Sequence, residues 1–157
     1  MSVPGGDIWG LEHWDTLAAT SPWKGVFGSI VAPVIAAQPY EYRAESDLHW
    51  TVGGALEDAG IELRHEVRLA RGASIDFVTG EGTGIEIKVA GGATDSGTRK
   101  QLLRYTGSGL VSAVLLITTS HSHLRGKQAG AYHVPVVVLH IEAHWNPEHE
   151  ARYRPFR

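Results

Sequence analysis

The chain has 157 residues, of which 43% are hydrophobic and 20% charged, a mixture that predicts one compact domain with a buried core. It contains no cysteine, which excludes a disulfide scaffold, a thiolate zinc site and a cysteine nucleophile. The net charge is −3, and no signal-like N-terminal segment or membrane-length apolar run is present, so we expect a cytoplasmic protein without membrane contact.

The first forty residues carry one helical pattern followed by apolar segments with Gly and Pro. Apolar residues recur every third position within 7–18, which predicts a helix. The following segments have no clear period, so their shape is not predicted. We divide the single domain, 1–157, into an N-terminal extension (1–40), a core (41–145) and a C-terminal tail (146–157).

The core combines helical and strand patterns. Apolar residues one turn apart predict the first helix, which ends at a glycine, and period-two alternation predicts the strands that follow it. The predicted order is helix, three strands, helix and two strands, over residues 44–59, 62–70, 74–80, 83–92, 97–107, 110–119 and 133–144.

Three charged side chains interrupt the apolar strands. Because strand side chains alternate between faces, Glu86 and Lys88 share one face and Ile85 and Ile87 the other. The short turn before this strand places Asp76 level with Glu86. Two carboxylates at close range repel unless a cation lies between them, and hard oxygen ligands suit Mg²⁺ or Mn²⁺. An ordinary surface salt bridge is the alternative for Glu86 and Lys88 taken by themselves.

A polar helical face follows the strands. Gln101 and Tyr105 are four residues apart in "QLLRY" and therefore share one face of the helix. Arg99, Lys100 and Arg104 place positive charge beside them. The alternative for Tyr105 is a core aromatic, with Gln101 as a solvated neighbour.

Taken in chain order, these features resemble the PD-(D/E)XK nuclease superfamily. The matching residues are Glu45 on the first helix, Asp76 on a strand, "EIK" at 86–88 on the next strand and "QLLRY" at 101–105 on the following helix. The order of elements over 44–141 resembles the αβββαβ core of that superfamily, and Q-x-x-x-Y resembles its RecB-like branch. The resemblance implies a restriction-endonuclease-like α/β fold, with a central mixed sheet flanked by helices and an N-terminal helical extension.

The resemblance also implies an activity and a set of roles. The activity would be Mg²⁺- or Mn²⁺-dependent hydrolysis of phosphodiester bonds in DNA by a metal-activated water. The implied catalytic residues are Asp76, Glu86, Lys88, Glu45, Gln101 and Tyr105. The implied metal ligands are Asp76, Glu86, Glu45 and the main-chain carbonyl of Ile87, and the implied DNA contacts are Arg99, Lys100 and Arg104.

Several alternatives stay open at this point. A catalytically inactive relative with the same fold would bind nucleic acid or a protein partner. An αβ structural subunit unrelated to nucleases would tolerate Asp76→Asn without losing any metal binding. Glu66 rivals Glu45 as the auxiliary acid, although its place on the polar face of its strand favours solvent exposure. We expect DNA as the partner and a homodimer as the assembly, because many members of the superfamily act on DNA as dimers.

Overall fold

The computed structural model describes residues 6–8, 23–90, 95–120 and 132–149. The helices in this part of the chain are α1 (Trp23–Ala36), α2 (Glu45–Asp58) and α3 (Asp95–Thr106). The strands are β1 (Gly6–Ile8), β2 (Tyr40–Tyr42), β3 (Leu63–Ala70), β4 (Ala73–Thr79), β5 (Thr83–Lys88), β6 (Ala113–Thr118), β7 (Val136–His140) and β8 (Ala143–Trp145). No helix within the described ranges is long and apolar enough to cross a membrane.

Six strands form one mixed sheet in the order β1-β7-β6-β5-β4-β3. β1, β7, β6 and β5 are parallel to one another. β4 is antiparallel to both of its neighbours, β5 and β3. β2 and β8 form a separate parallel pair. Every residue of β5 and β6 is buried, as is typical of strands covered on both faces. The expected α/β class, with a mixed central sheet flanked by helices, is therefore confirmed.

Helices cover both faces of the sheet and create two apolar clusters. On one face, Phe27 of α1 and Leu48 of α2 pack with Ile85 of β5. On the other face, Leu102 of α3 packs with Leu116 of β6. Burial of each such side chain contributes about 1.5–3 kcal/mol to stability. The strands β4 and β5, which lie inside the sheet, are thereby held at a fixed position between α2 and α3.

The helix predicted at 7–18 is wrong at its first two residues, which are the part of it that the structure describes. Asp7 and Ile8 belong to β1 and lie opposite Val138 and Leu139 of β7. The spacing of the apolar residues is helical, but pairing with an open sheet edge overrides that local preference. The remainder of the prediction, 9–18, lies outside the described residues.

The last predicted strand, 133–144, is in fact two strands. β7 ends at His140, and β8 begins at Ala143 and pairs with Tyr40–Tyr42 rather than with the main sheet. The backbone N–H of Tyr40 donates to the carbonyl of Glu142, 2.9 Å away, at the point where the chain leaves the sheet. The alternation of apolar residues continues through this point, so the sequence pattern does not show the break.

The predicted helix 44–59 is confirmed as α2, and Asp47 stabilises its first turn. Asp47 Oδ2 accepts hydrogen bonds from the backbone N–H groups of Arg43, at 2.7 Å, and Ala44, at 3.1 Å. Backbone donors near a helix start have no partner within the helix, so such acceptors fix where it begins. This start places Glu45 and His49, one turn apart, on the side of α2 that faces β4.

Candidate functional site

The candidate site, which we call the fork, lies where β4 and β5 separate beside Asp76 and Glu86. The backbone ladder pairs Phe77 with Ile85 but does not continue to the next pair, Asp76 and Glu86. Carboxylates replace the missing backbone acceptors. Asp76 Oδ2 accepts the N–H of Ile87 at 2.7 Å, and Glu86 Oε2 accepts the N–H of Asp76 at 3.3 Å. The predicted alignment of Asp76 with Glu86 is therefore confirmed, and both acids fill the gap between the strands.

Lys88 completes a buried ion pair with Glu86. Lys88 Nζ lies 3.1 Å from Glu86 Oε1. Only 4% of Glu86 and 7% of Lys88 are exposed. Ile87, between them, points to the other face of the sheet and packs in the apolar cluster under α1 and α2. The predicted alternation along this strand is confirmed, and the alternative of a surface salt bridge is wrong. Charged residues are this deeply buried only when they are paired or bind a ligand.

The two carboxyl groups are difficult to ionise together. Burial, and after it the neighbouring Asp76, raise the pKa of Glu86 to about 7, because Lys88 only partly opposes these two effects. Burial also raises the pKa of Asp76, although His49 and the N–H of Ile87 favour its charged form. Burial is thus the main reason that the two carboxylates resist ionising together, and a bound cation would favour their charged forms.

α2 brings an acid and an imidazole to the same place. His49 Nε2 is itself buried, and it lies 3.4 Å from Asp76 Oδ2 and 3.6 Å from Glu45 Oε1, within ion-pair distance of both carboxylates. Burial acts to lower the pKa of His49, but the two carboxylates outweigh it and the pKa is raised. His49 is the main cause that lowers the pKa of Glu45.

His49 was not among the residues predicted from sequence. Its distance from Glu45, four residues along a helix, was the available signal. That signal says only that both side chains share a face, and the docking of α2 decides that this face meets Asp76.

α3 presents Tyr105 to the other side of the fork. The Tyr105 hydroxyl donates to the carbonyl of Ser74 at 2.8 Å, and only 1% of the residue is exposed. Burial is the largest cause that raises the pKa of Tyr105, followed by the negative charge of Glu86. Tyr105 is therefore a packed core aromatic that also lies within electrostatic reach of the acids. Gln101, one turn earlier, has a buried Oε1 without a hydrogen-bond partner.

The three predicted DNA contacts differ in environment. Lys100 is exposed, whereas the Nε of the half-buried Arg99 is buried without a hydrogen-bond partner. Arg104 is exposed and donates from its guanidinium to the carbonyl of Arg71 at the β3–β4 turn. Glu66, the rival auxiliary acid, is exposed as expected, and it is Glu45 that lies next to His49.

The residues at the fork fit a divalent cation by chemistry. The carboxylates of Asp76, Glu86 and Glu45 are oxygen donors of the kind that Mg²⁺ and Mn²⁺ prefer in proteins, whereas an imidazole suits softer metals better. Within the described ranges, however, no three His, Asp or Glu side chains are already arranged as a metal-binding group. Asp76 and Glu86 instead contact the N–H of Ile87 and the ammonium of Lys88. The raised pKa values of Asp76 and Glu86 are the feature that a cation would relieve, whereas His49 Nε2 already lies against the carboxylates of Asp76 and Glu45.

Comparison with known proteins adds no relative from which a role could be transferred. No protein-family model, curated protein or solved structure matches the chain. The functional argument therefore rests on the residues at the fork and on the helices that position them.

Proposed function

We propose that the protein is a metal-dependent deoxyribonuclease, similar to the PD-(D/E)XK superfamily, that hydrolyses phosphodiester bonds at the β4–β5 fork. The observation that carries the proposal is the buried set of Asp76, Glu86 and Lys88 in strands that are otherwise apolar. Burying two carboxylates and an ammonium lowers stability compared with apolar residues of similar size. Binding of a cation and a phosphate would explain why the protein keeps these charged residues despite the lower stability.

The three acids would hold the cation. Asp76 and Glu86 approach it from the strands and Glu45 approaches it from α2, where His49 pairs with Asp76 and Glu45. A bound Mg²⁺ or Mn²⁺ would lower the pKa of a water molecule that it binds and would polarise a phosphate oxygen. The N–H of Ile87 donates a hydrogen bond to Asp76. The main-chain carbonyl of Ile87 would be a further ligand of the cation.

Lys88 and α3 would act on the phosphate. Glu86 positions the Lys88 ammonium at 3.1 Å, where the ammonium can stabilise negative charge that develops on the phosphate. Tyr105 holds α3 against β4 through the Ser74 carbonyl, and this fixes Gln101 one turn away. The unpartnered Oε1 of Gln101 can accept a hydrogen bond from the attacking water. Arg99, Lys100 and Arg104 on the same helix would bind flanking phosphates.

One observation favours a second function, a non-catalytic nucleic-acid- or partner-binding module. The oxygens of Asp76 and Glu86 already have protein partners, and the described part of the chain contains no preassembled metal-binding group. A domain that uses this fork only as a structural polar cluster would show the same contacts. The two functions differ in whether a divalent cation binds and whether DNA is cut.

The test is cleavage of labelled duplex, single-stranded, flapped and four-way-junction DNA with Mg²⁺ or Mn²⁺. We expect the wild type to cut at least one substrate, and Lys88→Ala and Asp76→Asn to lose roughly 10²-fold or more of the rate. Glu81→Gln, an exposed acid on the β4–β5 turn, is the matched control and should retain activity. Metal-independent cleavage, or cleavage unaffected by both active-site variants, would overturn the proposal.

A further inference from the structure

A small cleft opens beside Asp76 on the α2 side of the fork. Its volume is about 100 Å³, and it is open to solvent. None of the described residues that line it is Lys or Arg. Besides Ser46 and the fork residues His49 and Asp76, the lining consists of Trp50, His65, Glu66 and Phe77.

The lining restricts the chemistry of the occupant. Phosphate sites use Lys, Arg or backbone donors, whereas this lining has two carboxylates, and its His49 already pairs with Asp76 and Glu45, so an anion is disfavoured. The half-buried Trp50 provides flat apolar surface, with Phe77 buried behind the cleft, and the exposed Glu66 carboxylate provides a hydrogen-bond acceptor. A small flat ring that carries an N–H donor fits both Trp50 and Glu66.

Glu66 reaches this cleft through an unusual backbone. It has φ 50°, the left-handed region, and it lies between the register pairs His65–Phe77 and Val67–Ile75, opposite Asp76. That conformation costs a side-chain-bearing residue about 1–2 kcal/mol. Such conformations cluster at sites where side-chain direction matters for function.

We propose that the cleft holds the base of the nucleotide next to the cleaved phosphate and that Glu66 selects cytosine. The inference rests on the proposed nuclease function, because the adjacent fork would hold the phosphate. A carboxylate accepts a hydrogen bond from the N4 amino group of cytosine, whereas thymine places an acceptor, O4, at that position. The small volume favours a one-ring base over a purine. Trp50 provides the ring for stacking, which is insensitive to sequence.

The division of charge around the fork agrees with this assignment. The positive charge of Lys88 and of α3, the basic side of the fork, lies outside the cleft, whose lining comes from α2, β3 and β4. A single strand crossing the fork would place its phosphates towards the basic side and turn one base into the cleft.

The test is binding of fluorescein-labelled oligodeoxycytidylate and oligothymidylate of equal length, measured by anisotropy. The wild type is measured in EDTA and Lys88→Ala in Mg²⁺, so that neither strand is cut. We expect cytidylate to bind about tenfold more tightly, as one charge-assisted hydrogen bond allows. Glu66→Asn should reduce that ratio to about twofold or less, because the charge and the reach are lost. Asn tolerates the left-handed backbone, so the fold should be retained, as circular dichroism would verify.

Two further variants make the result specific. Trp50→Ala should weaken binding of both oligonucleotides about tenfold, as loss of base stacking predicts. Glu62→Gln changes another exposed acid beside β3, outside the cleft, and should leave the ratio unchanged.

The outcomes separate this inference from the nuclease proposal. Equal binding of the two oligonucleotides, a ratio unchanged by Glu66→Asn, or no binding of either would overturn the cytosine cleft. Cleavage without base preference would leave the nuclease standing without the cleft. A cytosine preference that depends on Glu66, in a protein that cuts no DNA, would support the cleft and refute the nuclease.

Discussion

Removal of one negative charge from the fork should stabilise the metal-free protein. In Asp76→Asn, the amide oxygen can still accept the N–H of Ile87, which Asp76 Oδ2 accepts at 2.7 Å. The substitution therefore preserves shape and the backbone hydrogen bond while it removes the charge beside Glu86. We expect a higher melting temperature for the variant in EDTA at pH 8.

The magnitude follows from the pKa of Glu86. Its rise from 4.5 to about 7 corresponds to about 3 kcal/mol of lost stability once the pH exceeds 7. Burial is the largest cause and Asp76 the second, so removing Asp76 should recover less than half, or about 1 kcal/mol. For a domain of this size, that amount raises the melting temperature by about 2–4 °C.

The sign of the pH dependence is also defined. Because the folded-state pKa of Glu86 is raised, its unfavourable contribution is absent below pH 4.5, grows as the pH rises and is complete above about pH 7. His49 acts in the same direction. Its raised pKa depends partly on Asp76, and this attraction is present at acidic pH and lost at alkaline pH. The advantage of Asp76→Asn should therefore be largest at pH 8 and disappear by pH 4.5.

The assay is differential scanning calorimetry of both proteins in EDTA and in excess Mg²⁺. Mg²⁺ should raise the melting temperature of the wild type but not that of the variant, because only the wild type retains the ligand. Glu81→Gln, which removes an exposed charge, serves as the control and should behave as the wild type. A lower melting temperature for Asp76→Asn in EDTA at pH 8 would refute the reasoning.

Three further predictions concern stability and are measured by urea unfolding. Gly84→Ala should destabilise the protein by about 1–2 kcal/mol, because the added Cβ would lie 2.7 Å from the Cδ1 of Ile75. Gly54→Ala should stabilise α2 by about 0.5–1 kcal/mol, because nothing lies within 4 Å of the added Cβ and alanine favours a helix. Equal effects at the two glycines would contradict the packing described. Asp47→Ala should cost about 1–2 kcal/mol through loss of the two N–H contacts before α2, and an unchanged midpoint would show that the cap is dispensable. Tyr105→Phe should cost about 1 kcal/mol because a buried carbonyl of β4 loses its donor, and a neutral result would mean that water replaces it.

Much of the fold was predictable because several elements are long and periodic. α2, β3, β4 and β5 follow apolar patterns that match their secondary structure over six or more residues. β1 has three residues, and its strand conformation depends on pairing with β7, a contact that no local pattern encodes. The break between β7 and β8 was missed for a related reason, since β8 changes partner while its alternation continues.

The site was predictable where one strand or one turn determines the geometry. Alternation places Glu86 beside Lys88, and the short β4–β5 turn brings Asp76 level with Glu86. The position of His49 depends on how α2 docks against the sheet. The left-handed backbone of Glu66 arises within a paired strand and has no glycine or asparagine to signal it.

The most direct test of a cation site at the β4–β5 fork is calorimetric titration of Mn²⁺ into the metal-free wild type and Asp76→Asn. We predict saturable binding by the wild type that weakens as the pH falls below 7, because Glu86 must be deprotonated to bind the ion. Asp76→Asn should show no saturable binding. Equal binding by both proteins, or no binding by the wild type at pH 8, would contradict the assignment of this fork as a metal-dependent catalytic site.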